Sequence, residues 1–245
     1  VAEKVFGIHT VSGLLQRDPE KVQALWVQRG GKEARLEQVL AAAHAAGVPV
    51  HRIERRALDG LAPGVRHQGV IAEYRGAGPR GEADLDALLD GLPGPPLLLV
   101  LDGVQDPHNL GACLRSAGAA GAHAVIAPRD RAAGLTPVVR KVASGAAESV
   151  PYFQVTNLAR VLKELQTRGV WVAGATGEAD ASLFDTDLNG PLALVLGGEG
   201  KGLRRLTRER CDILVSIPMQ GAVESLNVSV AAAVCLFEAV RQRGS

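Results

Sequence analysis

From Leu97 onward the sequence alternates strand-length apolar runs with helix-length stretches, and that rhythm constrains the fold more than any other feature. Leu97–Leu101 is an unbroken apolar run, which suits a parallel strand buried on both faces. A helix is predicted over Leu110–Ala120, with Asn109 as its N-cap and Gly121 as its stop. Further strands are predicted at Ala124–Ala127, Tyr152–Val155, Val170–Ala175, Leu192–Leu196 and Ile213–Ile217. Helices interleave at Pro137–Ala143, Asn157–Arg168 and near Leu203–Arg208, and a long apolar helix at about Asn227–Arg241 comes last. Such alternation calls for a parallel sheet covered by helices on both faces, an α/β domain. Strand order is not readable from the sequence.

A smaller α/β unit is predicted before it. Strands are expected at Val22–Gln28, Val48–Ile53 and Gly69–Arg75, with helices at Lys32–Ala46 and Arg55–Leu61. Between the two, Gly76–Pro96 holds Gly76-Ala77-Gly78-Pro79-Arg80-Gly81 and Pro93-Gly94-Pro95-Pro96, which read as linker around a short helix at Asp84–Leu92. The expected organisation is an N-terminal domain over 1–75, a linker over 76–96 and a larger domain over 97–245.

The 245 residues suffice for two modest domains, each with a core. No apolar run reaches the roughly 18 residues of a membrane helix, and no charged-then-apolar leader opens the sequence as it stands. A cytoplasmic protein is expected. Cys113, Cys211 and Cys235 are far apart and form no Cys-x-x-Cys pair. They read as small buried hydrophobes, and no metal site is expected. The net charge of +1 makes no global case for nucleic acid. Residues 1–75 are mildly basic, with 11 Lys/Arg against 8 Asp/Glu and with His9, His44, His51 and His67. That pattern fits ordinary surface charge as well as an RNA footprint.

Three segments crowd polar residues and glycines onto strand ends, where open α/β sheets bind ligands. The first runs from Asp102 to Arg115. Asn109 and Arg115 lie about 1.7 turns apart on the predicted helix. Arg115 sits among small apolar residues, so it is either paired with a carboxylate or reaching a ligand. The second is Gly197-Gly198-Glu199-Gly200-Lys201-Gly202. It is no phosphate-binding P-loop, because Val195 stands where the first glycine belongs and Gly202 where Ser or Thr belongs. The dinucleotide spacing G-x-G-x-x-G fails as well. The third is Ser216-Ile217-Pro218-Met219, then Ser225-Leu226-Asn227-Val228-Ser229 opening the last helix. Plain helix capping and an anion site are both open there.

In this order the segments resemble the three motifs of the SpoU/TrmH ribose 2′-O-methyltransferases, within the SPOUT superfamily. They read Asn109-x-Gly-x-x-x-Arg115, Leu-Gly-Gly-Glu199-Gly, and Ile217-Pro218-Met219 with Ser225-Leu226-Asn227-Val228-Ser229. Gly7-Ile8-His9, His67-Gln68-Gly69-Val70 and Ser144-Gly145-Ala146-Ala147-Glu148 match as well. Over its whole length the chain is similar to members that methylate a guanosine ribose in bacterial large-subunit ribosomal RNA.

The resemblance implies a C-terminal SPOUT domain with a deep trefoil knot and an N-terminal ribosomal-protein-like RNA-binding domain. It implies S-adenosylmethionine as cofactor, held by Gly197, Ile217 and Leu226. It implies a homodimer acting on large-subunit ribosomal RNA, with neither membrane nor DNA as partner. Asn109, Arg115, Glu199, Ser225 and Asn227 become the catalytic set. Arg115 is expected at the 2′-oxygen or adjacent phosphate, with Asn109 and Glu199 orienting it and Ser225 and Asn227 holding loop and substrate. Relatives acting on transfer RNA or other ribosomal RNA sites share these motifs. A non-catalytic RNA-binding assembly factor is the reading from another class, and a cofactor titration separates it.

Overall fold

The computed structural model describes residues 3–30, 34–75, 79–200 and 202–244. The predicted helix start at Lys32, the linker residues Gly76–Gly78 and Lys201 lie outside the described residues. The chain divides into two compact units, Val1–Gly78 and Pro79–Ser245.

Unit 1 runs β1 (Glu3–Phe6), α1 (Ile8–Arg17), β2 (Val22–Gln28), α2 (Ala34–Ala45), β3 (Val50–Ile53), α3 (Arg55–Leu61) and β4 (Val70–Tyr74). Its sheet order is β1-β4-β2-β3; β2 and β3 are parallel, and β4 is antiparallel to β1 and β2. α1 and α2 contribute Val11, Leu14, Leu15, Val39 and Leu40 to the core on one face. α3 covers part of the other face through Leu58, which packs with Ile71. β1 and α1 were not predicted. The signal was present in Ile8, Val11, Leu14 and Leu15, a stripe at helical spacing that is buried here. Gly7 and the Ser12-Gly13 pair obscured it.

The first pair of flanking motifs meets in this unit. Gln68 Oε1 accepts a hydrogen bond from the Ile8 backbone N–H (3.2 Å), and the Gly7 N–H donates to Val70 O (3.3 Å). His67, read as one of four basic-side histidines, is internal instead. Its Nδ1 accepts from the Gly69 N–H (3.1 Å), which leaves Nε2 as the donor to Asp59 at 2.8 Å.

Unit 2 opens with α4 (Glu82–Asp90), then β5 (Leu97–Asp102), α5 (Pro107–Ala119), β6 (Ala124–Pro128), α6 (Pro137–Ala143), α7 (Ala146–Ser149), β7 (Tyr152–Val155) and α8 (Leu158–Thr167). It continues with β8 (Trp171–Ala175), β9 (Ala181–Ser182), β10 (Leu192–Gly197), α9 (Arg205–Arg208), β11 (Ile213–Ser216) and α10 (Val228–Arg243). All seven strands are parallel, in the order β7-β6-β5-β10-β8-β11-β9. Every residue of β5 is buried, as its apolar run requires. Each such leucine contributes about 2 kcal/mol on leaving water. Alternate β5 residues serve two cores. Leu97, Leu99 and Leu101 pack with α5, α6 and α10, while Leu98 and Val100 pack with α4 and α8. The chain winds outward from β5 to β7, then returns so that β10 lies between β5 and β8. The reversal gathers the carboxyl ends of β5, β10, β8 and β11 side by side, where open α/β sheets take ligands.

Two expectations are corrected here. The segment 76–96 is folded from Pro79 onward. Arg80 pairs with the edge strand β7, its N–H donating to Tyr152 O (2.9 Å) and its carbonyl accepting from Gln154 N (3.0 Å). Leu85 of α4 is buried in the core, Arg168 holds Asp86 (2.8 Å) and Asp90 (2.6 Å), and Glu82 holds Arg160. The prolines and glycines flank this element without freeing it. Secondly, the N-cap of α5 is Asp106, whose side chain accepts from the His108 N–H (2.8 Å), with Pro107 in the first turn. Asn109 is thereby released for the site.

Candidate active site

The three chemistry-bearing segments meet at the carboxyl edge of the large sheet. Asn109 lies in the first turn of α5, Glu199 in the loop after β10, and Asn227 at the N-cap of α10. Asn109 Nδ2 donates to Glu199 Oε1, and Asn109 Oδ1 accepts from Asn227 Nδ2 (3.0 Å). Asn227 Oδ1 in turn accepts from the Ser229 N–H (2.9 Å) and Oγ–H (2.6 Å). The direction of this chain follows from its end. Asn109 turns its NH₂ toward Glu199 and its oxygen toward Asn227. Asn227 then has its oxygen left for the helix N-terminus, which is what a cap requires.

A second contact fixes the Glu199 loop. Asp102 ends the apolar strand β5, is 1% exposed, and is held by Arg204 through the backbone N–H (2.9 Å) and the guanidinium. The Gly198 N–H donates to Asp102 O (3.0 Å), and Gly202 N–H to Gly198 O (3.2 Å). The glycines here answer to the chain's own backbone. A Cβ on Gly197 would lie 2.0 Å from Gly202 C, and one on Gly198 would lie 2.3 Å from Gly103 O. Asp102 and Arg204 had no assigned role in the sequence reading. The available signal was a charge closing a run of five apolar residues, a placement that requires a partner. Arg204→Ala would leave Asp102 buried with only its backbone donor. A loss of about 2–4 kcal/mol of stability is expected, measured as a shift of the urea midpoint at unchanged slope.

Residues 96–237 match the model of the SpoU rRNA Methylase family, and residues 4–79 match that of the RNA 2′-O ribose methyltransferase substrate-binding domain. The chain belongs to the SpoU family. The 23S rRNA (guanosine-2′-O-)-methyltransferase RlmB of Pseudomonas putida is 58% identical over 241 residues, covering 98% of this chain and 97% of the relative. RlmB of Yersinia pestis is 54% identical, covering 100% and 99%. Among solved structures, the SpoU methyltransferase AviRb from Streptomyces viridochromogenes, in complex with AdoMet, superposes with a TM-score of 0.83 at 27% identity. It covers 100% of this chain and 91% of that one.

The remaining SpoU motif residues are placed as follows. Arg115 is exposed on α5 and pairs with no carboxylate among the described residues, so the structural ion pair weighed for it is not formed. Six residues separate it from Asn109, which puts the two about 120° apart around the helix. Asn109 and Glu199 bond each other and make no described bond to Arg115. Ile217 packs against the core beside α10, Leu226 is 37% exposed, and Gly197 is partly buried. Ser225 is exposed and makes no side-chain bond among the described residues. Cys113, buried in α5, has its thiol pushed up to about 12 by burial and further by the Glu199 carboxylate, so it stays protonated. The Ser144–Glu148 motif is structural at its end. Glu148 forms a buried ion pair with Arg140 at 3.0 Å, around the left-handed turn at Ser144 and Gly145.

Proposed function

We propose that this chain transfers a methyl group from S-adenosylmethionine to the ribose 2′-hydroxyl of a guanosine in bacterial 23S ribosomal RNA. The observation that carries the reading is the hydrogen-bonded chain Glu199–Asn109–Asn227, which ties the three SpoU motifs together at one sheet edge. The names of full-length relatives at 54–58% identity agree with it.

The residues present fit the cofactor. The loop 219–226 spends none of its backbone N–H groups on a described partner, so it offers donors for an adenine edge or a carboxylate. Ile217 and Leu226 add apolar walls beside those donors, the lining that a purine ring needs. Gly197, Ile217 and Leu226 would hold the group, which supplies an electrophilic methyl when bound. The chain's own residues must then handle the nucleophile. A 2′-hydroxyl attacks poorly until its proton leaves. Arg115, always charged, stabilises the developing alkoxide or grips the neighbouring phosphate through its planar fork. Asn109, Glu199 and Asn227 keep the loops in register, and Ser225, exposed and without a side-chain bond among the described residues, is left for loop and substrate.

Unit 1, mildly basic, is the RNA-holding domain, so the division of labour falls between residues 1–75 and 97–245. The return of the chain through the centre of the sheet accommodates the trefoil knot of the superfamily. Val230 and Phe237, each 48% exposed, flank Val234 on α10 and suit burial against a second copy, making a homodimer. An exposed Arg115 with no carboxylate partner among the described residues fits a site that the second subunit completes. A ribosomal RNA substrate makes this a cytoplasmic enzyme; no helix among the described residues is long and apolar enough to cross a membrane.

The test is mass spectrometry of 23S rRNA from cells lacking the gene, with purified protein added back. One 2′-O-methylguanosine should vanish and return only when S-adenosylmethionine is supplied. Unchanged methylation in the deletion, together with no cofactor binding in a calorimeter, would replace the enzyme with an assembly factor.

A further inference from the structure

Unit 1 carries an aromatic row that its own core does not use up. The strand registers align Phe6 with Ile71, Ile71 with Trp26, and Trp26 with His51, so one row crosses all four strands on the α3 face. Ile71 is fully buried under Leu58 of α3, but the cover stops there. Trp26 is only partly buried, and His51, on the edge strand β3, is exposed. The two rings stack with centroids 5.7 Å apart and planes at 25°. A partly buried tryptophan with an exposed flat ring stacked on it at a sheet edge leaves the outer ring's face for another ring.

The surroundings are cationic. Arg55 and Arg56 are exposed at the start of α3, the helix that covers part of this face, while Arg29, just after β2, and Arg52 on β3 are exposed but turned by strand alternation to the other face. Arg29 pairs with Glu54 at 3.4 Å, while Arg52, Arg55 and Arg56 pair with no described carboxylate. Stacked flat rings on a face bordered by the cationic start of α3 match a base attached to phosphates. They do not match a duplex, whose bases are already stacked and shielded.

We propose that Trp26 and His51 form a stacking platform for an unpaired base of the RNA substrate, with the nearby arginines following its backbone. The proposal rests on the reading of unit 1 as the RNA-holding domain. It accounts for a paired aromatic surface at an edge that strand pairing alone does not require.

The test uses the full chain carrying Trp171→Phe, which leaves Trp26 as the only tryptophan. A short single-stranded oligoribonucleotide of mixed sequence is the probe. It should quench Trp26 emission, and a blunt duplex of the same sequence should not. His51→Ala, at an exposed edge, should weaken binding of the single strand about tenfold or more, with S-adenosylmethionine affinity and melting temperature unchanged. His51→Phe should restore most of the affinity. Wild-type affinity in His51→Ala, no rescue by His51→Phe, or equal quenching by the duplex would overturn the platform and leave the RNA reading of unit 1 standing. Failure of the unsubstituted chain to bind the single strand would overturn both.

Discussion

Arg115→Ala is expected to lower methyl transfer by about three orders of magnitude while leaving S-adenosylmethionine affinity within about twofold. Arg115 is exposed and pairs with no carboxylate among the described residues, so its removal breaks no described contact and should leave the melting temperature unchanged. It stands about 9 Å along α5 from Asn109 and on another side of the helix, away from the chain that ties the loops. The proposed reaction supplies two groups for its charge, a developing alkoxide and a phosphate. Arg115→Lys should fail nearly as badly, since a point charge replaces a planar fork. RNA carrying a 2′-deoxyribose at the target should not be methylated at all, because the nucleophile is gone. Calorimetry for the cofactor beside radiolabel transfer to 23S rRNA reads both quantities. Near-wild-type turnover in Arg115→Ala, or methylation of the deoxy substrate, would show that the 2′-O reaction does not run through this residue.

Asn109→Ala should fail in a different way. Asn109 is the middle member of Glu199–Asn109–Asn227, and it both donates and accepts. Its loss leaves Glu199 without that donor and frees the cap of α10 from α5. A hydrogen bond to a carboxylate is worth about 1.5–3 kcal/mol, so cofactor affinity should fall by roughly tenfold to a hundredfold through the loosened loops. Transfer should fall further still. Asn109→Asp is the sharper variant. It sets a second carboxylate against Glu199 where a donor stood, so cofactor affinity should fall at least as far as in Asn109→Ala. A cofactor affinity in Asn109→Ala equal to that of the unsubstituted chain would mean that the three motifs are held together by something else.

The strands of unit 2 were legible because a both-faces-buried parallel strand has one sequence appearance, an unbroken apolar run. Leu97–Leu101 and Leu192–Leu196 needed no tertiary information to be placed. The pairing of those two runs side by side was not legible, because strand order depends on where the chain doubles back. The candidate site divides in the same way. Asn109, Glu199 and Asn227 were named from motif resemblance, yet their mutual bonding appears only once β5, β10 and α10 are assembled. Arg115 gave the reverse lesson. Its apolar neighbours admitted either a pair or a ligand, and its exposure and lack of a described carboxylate, neither visible in the sequence, remove the pair. Asp102–Arg204 escaped notice because its members are 102 residues apart and each looks ordinary alone. The expected linker misled for a local reason. Pro and Gly mark chain breaks well, but they do not report whether the residues between them dock, and Leu85, Asp86 and Asp90 do.

The docking of Arg80 on β7 bears on how this protein stays dispersed in a crowded cell. A seven-stranded parallel sheet has two open sides, each a template onto which a strand from another molecule can add. On one side Arg80 already occupies the positions beside Tyr152 and Gln154, with α4 packed next to it. On the other, β9 is only two residues long and offers little ladder to extend. Growth by strand addition to this sheet thus meets an occupied position on one side and a two-residue strand on the other.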